Sequence, residues 1–331
     1  MRPHDRALLL EEHLSNRYRL RNTDLKIHHN PFANIASAYN QAGADYGAYA
    51  DGDPTRLFEF SGCHAYADRR IWTLLQRKLS ELRAAGARSI SILDAGCGPG
   101  TWLRRIVTQA HLLGFDQITA RGFDVARVQV QRARLLAADV SKISGVSLEF
   151  DVADLTAELP EADASVDLAL CLSSVLNHLP LMSLPKVSAE FARVTSGCFV
   201  TTVRSAGSTP TIMVNSIENA RRFKYDNSRD RCEIELRDGR HIDLDFHLFT
   251  ASELRSWFAE SFDIDELRGL DVFHNRFAPD PRWNPPTLSI DRKLSDELER
   301  LEETYADRPP FIERATHLLL VASGRRAAAQ S

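Results

Sequence analysis

The sequence is poor in lysine and cysteine and contains no long apolar segment. Arginine supplies nearly all of its 41 basic side chains, and the net charge is −4, so no broad basic surface for nucleic acid is indicated. Its five cysteines are odd in number and include no Cys-x-x-Cys pair, which favours a reducing cytoplasm over a disulfide framework or a zinc site. No run approaches the ~20 apolar residues of a membrane-spanning helix. The apolar run at 7–10 is too short for a signal peptide. We therefore expect a cytoplasmic protein that binds neither nucleic acid nor a membrane.

The most informative segment is Ile92–Trp102, where a short apolar run ends in Asp94 and glycines follow at alternate positions. An amphipathic run comes next, so the pattern predicts a strand, a tight turn and a helix. Glycine lets the backbone turn sharply and approach a ligand closely. We expect Gly96, Gly98 and Gly100 to present backbone N–H groups to a nucleoside-type cofactor at the start of the helix.

The spacing of these glycines discriminates between cofactors. A dinucleotide fingerprint, Gly-x-Gly-x-x-Gly, needs its third glycine at position 101 or 103, where the sequence has Thr101 and Leu103. The acid-x-Gly-x-Gly-x-Gly pattern instead resembles motif I of class I methyltransferases that depend on S-adenosyl-L-methionine (SAM). In that family the loop surrounds the methionine part of SAM. The resemblance implies cofactor contacts from Asp94, from Cys97 and from the three glycines.

Acids follow the next two predicted strands. Asp124 closes the second strand roughly 20 residues beyond the loop, where an acceptor for ribose hydroxyls is expected, and a carboxylate can accept from both hydroxyls. The family places another acid after the third strand, at the adenine amino group. Asp154, followed by Leu155, aligns best with this role, and Asp151 is the alternative.

Further strands fit the same resemblance, which covers residues 88–323. The fourth strand ends near Cys171, at the border of the cofactor site, and Phe199–Arg204 is the fifth. Ala315–Ala322 matches the family's last strand, which lies antiparallel beside the fifth. The resemblance implies an α/β fold with a Rossmann-like, seven-stranded, mainly parallel sheet and helices on both faces. It also implies SAM as cofactor and S-adenosyl-L-homocysteine as product.

The chain is long enough for one large core with additions. We predict an N-terminal arm and helical cap at 1–84, a methyltransferase domain at 85–323 and a tail at 324–331. Insertions at 205–249 and 269–310 are expected to form the acceptor side.

Local signals refine the first insertion. Alternating apolar and polar residues at 233–236 and 242–246 surround Asp238-Gly239, which predicts a β-hairpin. Thr250 and Glu253 form a capping-box pattern for a following helix.

Three histidines are candidates for a general base, which an O–H or protonated N–H acceptor requires. His178 follows the fourth strand and comes first, and His247 and His274 come next. Asp245 and His247 could bind a metal, but no third ligand stands at a convincing spacing, so we expect no metal.

The acceptor pocket is expected between the cap and the late loop. Tyrosines at 39–49 resemble those of N-terminal helices that close over SAM in small-molecule methyltransferases. Aromatic and guanidinium groups together favour an acceptor with an apolar body and an anionic head, unless these arginines are scattered surface residues. The candidate acceptor-binding residues are Tyr46, Tyr49, Arg204, Arg276, Arg282 and Trp283.

The sequence thus predicts a monomeric or homodimeric methyltransferase that transfers a methyl group to a small molecule of secondary-metabolite type by in-line displacement. Carbon methylation of a prenyl diphosphate is one alternative. A SAM-binding regulatory protein without turnover is another, as is a nucleotide-dependent oxidoreductase on a similar fold.

Overall fold

The computed structural model describes residues 35–41, 56–60, 64–208, 220–226, 229–236, 238–274 and 292–325. Within these ranges, every helix is too short or too polar to cross a membrane.

A seven-stranded sheet forms the centre of the molecule. Its strands are β1 (Ser89–Ala95), β2 (Gln117–Asp124), β3 (Val146–Val152), β4 (Val166–Cys171), β5 (Thr195–Arg204), β9 (Phe262–Leu270) and β10 (His317–Gly324). They lie in the order β3-β2-β1-β4-β5-β10-β9. The first five are parallel, and β10 runs antiparallel to both of its neighbours. The predicted fold class is confirmed, including the antiparallel strand beside β5.

Helices cover both faces of this sheet. They are α1 (residues 35–41), α2 (Ala65–Ala84), α3 (Thr101–Leu112), α4 (Arg127–Leu136), α5 (Leu184–Val194), α6 (Ala251–Ala259) and α7 (Arg292–Tyr305). Apolar residues of α2, α3 and α4 pack on one face, and those of α5 and α6 pack on the other. Helix α2 therefore belongs to the core, as its apolar stripe predicts.

The alternation of side chains along the strands explains the two cores. On β1, Ile90 and Ile92 face the first cluster, whereas Leu93 and Ala95 face the second. Successive residues of a strand point to opposite faces, so a strand with helices on both sides is apolar at almost every position. On β1, Ile90, Ile92, Leu93 and Ala95 are all buried, whereas Ser89 is exposed and Ser91 is half-buried.

A smaller antiparallel sheet lies between β5 and α6 in the sequence. Its strands are β6 (Ala220–Asp226), β7 (Arg231–Leu236) and β8 (His241–Asp245). The pairing of β7 with β8 confirms the predicted hairpin, and β6 is a third strand that the sequence analysis missed. The predicted capping box is also confirmed: the Thr250 side chain accepts from the Glu253 N–H, and the Glu253 carboxylate accepts from the Thr250 N–H at 2.9 Å.

Candidate functional site

A cavity opens at the carboxyl ends of β1, β2, β3 and β4. Its empty volume is about 690 Å³, part of it open to solvent. In a parallel α/β sheet, ligands bind at this edge. The lining residues come from α1, the glycine loop and the turns after β2, β3 and β4: Ile35, Tyr39, Gly96, Gly98, Phe123, Asp124, Val125, Gln129, Ala153, Asp154, Leu155, Ser173, Val175, His178 and Leu179.

Asp124 ends β2 and lines this cavity. One carboxylate oxygen, Oδ2, accepts from the Gly98 N–H at 3.0 Å, and Oδ1 accepts from the Ala126 N–H at 2.8 Å. Burial raises the pKa of Asp124, and the two backbone hydrogen bonds partly offset that rise. Each oxygen keeps a further lone pair, so the carboxylate can still accept from a ligand.

The glycine loop differs from the expectation in one respect. Its amides do not point at a ligand, because the structure satisfies them internally. The N–H groups of Gly96 and Cys97 donate to the Phe123 carbonyl, and that of Gly100 donates to the Cys97 carbonyl. The Gly98 N–H is held by Asp124. The prediction that these N–H groups are presented to the cofactor is therefore wrong, and the amides of Gly96, Gly98 and Gly100 are not free donors for a pyrophosphate.

All three glycines have positive φ, which disfavours other residues. They nevertheless serve different purposes. A Cβ at Gly96 would lie 2.3 Å from a Val175 methyl group, and one at Gly100 would lie 2.8 Å from the Phe150 ring. A Cβ at Gly98 would meet nothing within 4 Å. Gly98 therefore faces open space in the cavity, whereas Gly100 allows the start of α3 to pack on β3 and does not line the cavity.

The turn after β4 carries backbone strain. Ser173 and Ser174 have φ of 59° and 68°, in the left-handed region that is uncommon for residues other than glycine. Thr202 of β5 holds this turn, because its Oγ1 accepts from the Ser173 N–H at 2.8 Å and its carbonyl accepts from the Ser174 N–H at 3.1 Å. Ser173 lines the cavity. Such strain is concentrated at functional sites. No sequence motif marks either serine, so the sequence did not predict them as site residues.

The two acids after β3 occupy different places. Asp154 lines the cavity, and its Oδ1 accepts from the N–H and the hydroxyl of Thr156 at 2.8 and 2.9 Å. Asp151 is absent from the described lining and forms an ion pair with Arg121 at 3.0 Å. This arrangement supports Asp154 over Asp151 as a cofactor contact. Among the described lining residues, Asp124 and Asp154 are the only acids, and no lysine or arginine accompanies them.

His178 is the one predicted histidine that lines the cavity. Its Nδ1–H donates to the Asp245 carbonyl at 3.1 Å, because a carbonyl can only accept. In the neutral ring Nε2 is then an acceptor, and the Tyr39 hydroxyl lies 2.8 Å from it. Burial lowers the pKa of His178 to about 4, and the hydrogen bond to Asp245 only partly offsets this. The ring is therefore neutral at physiological pH.

The other two histidines lie elsewhere. Burial alone would lower the pKa of His247, but the carboxylates of Asp230 and Glu253 raise it to about 9. His247 is thus a buried cation that links the small sheet to α6. The His274 ring stacks on Tyr66, with centroids 4.5 Å apart. Neither histidine is among the described lining residues, and their predicted catalytic roles gain no support from geometry.

Four further predicted residues lie beside the cavity without lining it. Asp94, Cys97 and Cys171 are buried in or just after their strands, and Arg204 lies half-buried at the end of β5. Burial, followed by the charge of Asp94, raises the pKa of both thiols, so neither cysteine is a thiolate. The remaining acceptor candidates lie outside the described residues: Tyr46, Tyr49, Arg276, Arg282 and Trp283.

The sequence analysis missed Gln129, Ser173 and Val175, which line the cavity from α4 and from the turn after β4. Tyr39 was not predicted individually either, although the tyrosines at 39–49 were predicted as a group to lie over the cofactor.

Residues 92–197 match a family described as Methyltransferase domain. This matched segment is less than half of the chain. It contains the glycine loop, both cavity carboxylates and His178.

Solved structures resemble the chain as a whole. Magnesium protoporphyrin IX methyltransferase (ChlM) from Synechocystis PCC 6803, with bound SAM, is 13% identical, covers 91% of this chain and 100% of its own, and has a TM-score of 0.50. Geranyl diphosphate C-methyltransferase from Streptomyces coelicolor A3(2) is 12% identical over 90% of this chain and 99% of its own, with a TM-score of 0.48. No curated protein sequence matches the chain. The likeness to ChlM concerns the fold, a mainly parallel seven-stranded sheet with helices on both faces.

Two buried histidines, His178 and His247, make the stability of the folded chain depend on pH. The pKa of His178 is about 4 in the folded chain, against 6.5 in the unfolded chain. Its stabilisation is therefore full above pH 6.5 and is lost as the pH falls towards 4, by roughly 3 kcal/mol. Urea unfolding measured from about pH 10 to about pH 4 should show this loss at the acid end in the wild type and a smaller loss in His178→Gln.

His247 supplies the matched control, because its pKa shift has the opposite sign. With a folded pKa of about 9, its stabilisation is present below pH 6.5 and is lost as the pH rises through 9. His247→Gln should keep the loss at low pH and lack the loss at high pH. An acid limb that is equally steep in His178→Gln would contradict the lowered pKa of His178.

Proposed function

We propose that this chain is a SAM-dependent methyltransferase that acts on a small-molecule acceptor. The observation that supports this most strongly is the combination of two cavity carboxylates with a glycine loop whose amides are already hydrogen-bonded. A dinucleotide would bring a pyrophosphate into a cavity whose described lining includes no lysine or arginine, beside a loop in which the amides of Gly96, Cys97, Gly98 and Gly100 are already hydrogen-bonded. The oxidoreductase alternative is therefore disfavoured.

The described residues fit SAM. Its sulfonium and ammonium groups are cationic, and a cavity whose charged side chains are Asp124 and Asp154 attracts cations. Asp124 would accept from the ribose hydroxyls through the lone pairs that Gly98 and Ala126 leave free. The Asp154 Oδ2, which has no hydrogen bond within the described part of the chain, would accept from the adenine amino group. Leu155 supplies an apolar contact beside it.

Bound SAM supplies an activated methyl group, so positioning can provide much of the catalysis. In this chain, Tyr39 and His178 stand at the cavity and form one hydrogen-bonded pair. An acceptor with an O–H or protonated N–H group must lose a proton. The pair can take it when the Tyr39 oxygen receives the proton and its own hydroxyl proton moves to His178 Nε2. The hydrogen bond from Nδ1 to Asp245 holds the ring in the required tautomer.

Cofactor binding tests this function directly. Calorimetric titration of the full chain should show binding of SAM and S-adenosyl-L-homocysteine, and no binding of NAD or NADP. Gly98→Asn places a side chain in the cavity without a large backbone penalty, since asparagine tolerates positive φ. We expect it to weaken SAM binding at least a hundredfold.

Gly86→Asn is the matched control for this variant. Gly86 also has positive φ and open surroundings, but it lies between α2 and β1, at the opposite edge of the sheet. The Gly86→Asn variant should bind SAM like the wild type. Equal SAM affinity in a folded Gly98→Asn protein would refute the cofactor assignment. Binding of SAM without methyl transfer to any of a broad panel of acceptors would favour the regulatory alternative.

The two acids after β3 provide a paired test. Asp154→Asn keeps an oxygen for Thr156 and turns an N–H group towards the adenine amino group. The loss of this hydrogen bond should weaken SAM binding about tenfold or more. Asp151→Asn should leave it unchanged, because Asp151 contacts Arg121 outside the described lining. The reverse order of the two affinities would assign the adenine contact to Asp151.

The Tyr39–His178 pair predicts a loss of kcat that is not additive. His178→Gln and Tyr39→Phe should each lower kcat about a hundredfold or more on an acceptor that loses a proton, and the double variant should be no worse. SAM affinity should change far less, and His247→Gln should keep full activity. Undiminished kcat in both single variants would show that the pair has no part in proton transfer.

The chemistry of the acceptor stays a prediction. Two arginines of α2 form ion pairs with acids. Arg69 lies 2.8 Å from Glu299, and Arg70 lies 3.1 Å from Glu303. They are thus not free to bind an anionic head. The cytoplasmic location and the monomeric or homodimeric state also stay predictions.

A further inference from the structure

A cluster of two histidines and an aspartate lies at the carboxyl edge of the sheet, apart from the cavity. His64 directly precedes α2, Asp271 directly follows β9, and His317 begins β10. In the sheet, His317 lies opposite Leu270 on one side and Arg204, the last residue of β5, on the other. The cluster therefore occupies the same edge as the glycine loop. None of its three residues is among the described cavity lining.

The three side chains converge on one point. The Asp271 Oδ2 lies 3.9 Å from His64 Nδ1 and 4.0 Å from His317 Nδ1, and the three ligand atoms lie within 4.8 Å of one another. The imidazole rings meet edge to face at 4.9 Å between centroids. These N···O distances are too long for hydrogen bonds. The atoms therefore face one another across a gap that a single atom can bridge.

Asp271 is the strongest sign that something fills this gap. The residue is 2% exposed, and both carboxylate oxygens lack a hydrogen-bond partner within the described residues. A buried carboxylate without a partner is costly, unless it is paired or coordinates a metal. His317 Nδ1 is likewise buried and unpaired there.

The backbone holds Asp271 in place. Its φ is 56°, in the left-handed region, and its carbonyl accepts from the Thr316 hydroxyl at 3.2 Å. The Thr316 N–H donates to the Leu270 carbonyl at 3.1 Å. The start of β10 thus fixes both the aspartate and His317, at a residue whose conformation carries strain.

We propose that His64, Asp271 and His317 bind one divalent transition-metal ion, with Zn²⁺ as the reference ion. Two imidazole nitrogens and one carboxylate oxygen form a donor set that suits zinc and iron rather than magnesium or calcium, which prefer oxygen ligands. Ligands of a tetrahedral zinc ion lie about 3.3 Å apart, since each bond is about 2.0–2.1 Å long. The three atoms must therefore approach one another by roughly half an ångström or more. The His64 side chain, 17% exposed, can supply that movement and gives the ion access from solvent.

Three protein ligands leave at least one coordination position open, as in catalytic rather than structural zinc sites. The site thus accepts an exchangeable ligand, such as water or an anionic oxygen. Its existence does not rest on the proposed methyl transfer, because none of its ligands contributes to the cofactor cavity.

Calorimetry on the full chain, free of any histidine tag and stripped by a chelator, tests this site. Titration with Zn²⁺ should give one ion per chain with a Kd below about a micromolar. Asp271→Asn keeps the shape and tolerates positive φ, and it should weaken binding at least a hundredfold, as should His64→Gln at the exposed end of the cluster. His111→Gln, an exposed histidine on α3, is the control and should bind zinc like the wild type. The Co²⁺ form should absorb in the visible range and lose that band in both ligand variants.

Each alternative gives a distinct result. Failure of the wild type to bind Zn²⁺ or Co²⁺, or stoichiometric binding that survives in both Asp271→Asn and His64→Gln, would overturn the proposal and assign the gap to water. If Asp271→Asn does not fold, as judged by circular dichroism, His64→Gln decides the question. SAM titrations of the same variants separate the two sites, since SAM affinity should be unchanged whether or not the metal site exists.

Discussion

The cofactor edge of this molecule depends on the hydrogen bonds that Asp124 accepts from two backbone amides. One joins the end of β2 to Gly98, and the other holds Ala126, just before α4. A buried carboxylate would otherwise be costly, and these bonds offset part of that cost. Because Phe123 and Cys97 satisfy the remaining loop amides, the loop has its shape without a ligand. The result is a preformed cavity whose charged described residues are the acids Asp124 and Asp154.

Neutral His178 belongs to the same electrostatic design. A protonated imidazole in this cavity would repel a sulfonium and could not accept a proton. Burial among Tyr39, Phe246 and the cavity wall keeps the ring uncharged, and the Asp245 carbonyl fixes its tautomer. His247 shows the opposite outcome, since two carboxylates hold it charged away from the cavity. Histidine is thus neutral at position 178 and charged at position 247, and the sequence alone could not assign these two protonation states.

The sequence predicts the parallel sheet well, because short apolar runs end in acids that mark its carboxyl edge, as Asp94 does on β1 and Asp124 does on β2. It predicts β9 poorly, since acidic residues interrupt the apolar positions of Phe262–Leu270. For the site, the motif identifies Gly98, Asp124 and Asp154 but does not separate residues that face the cavity from those that face the core, such as Cys97. The cluster of His64, Asp271 and His317 could not be predicted, because the pairing of β10 with β9 brings Asp271 and His317 together, and His64 reaches them from the start of α2.

The reversal of β10 explains why polar side chains are concentrated at one edge. Parallel strands β1 to β5 all end there, β9 also ends there, and antiparallel β10 begins there. Residues that flank the strands at this edge thus need not fit the packing of the two hydrophobic cores. At the opposite edge, the chain turns tightly: a Cβ at Gly145 would lie 2.1 Å from the Asp116 carbonyl oxygen. The carboxyl edge carries both proposed ligand sites, the cavity at β1 and β2 and the histidine–aspartate cluster at β9 and β10.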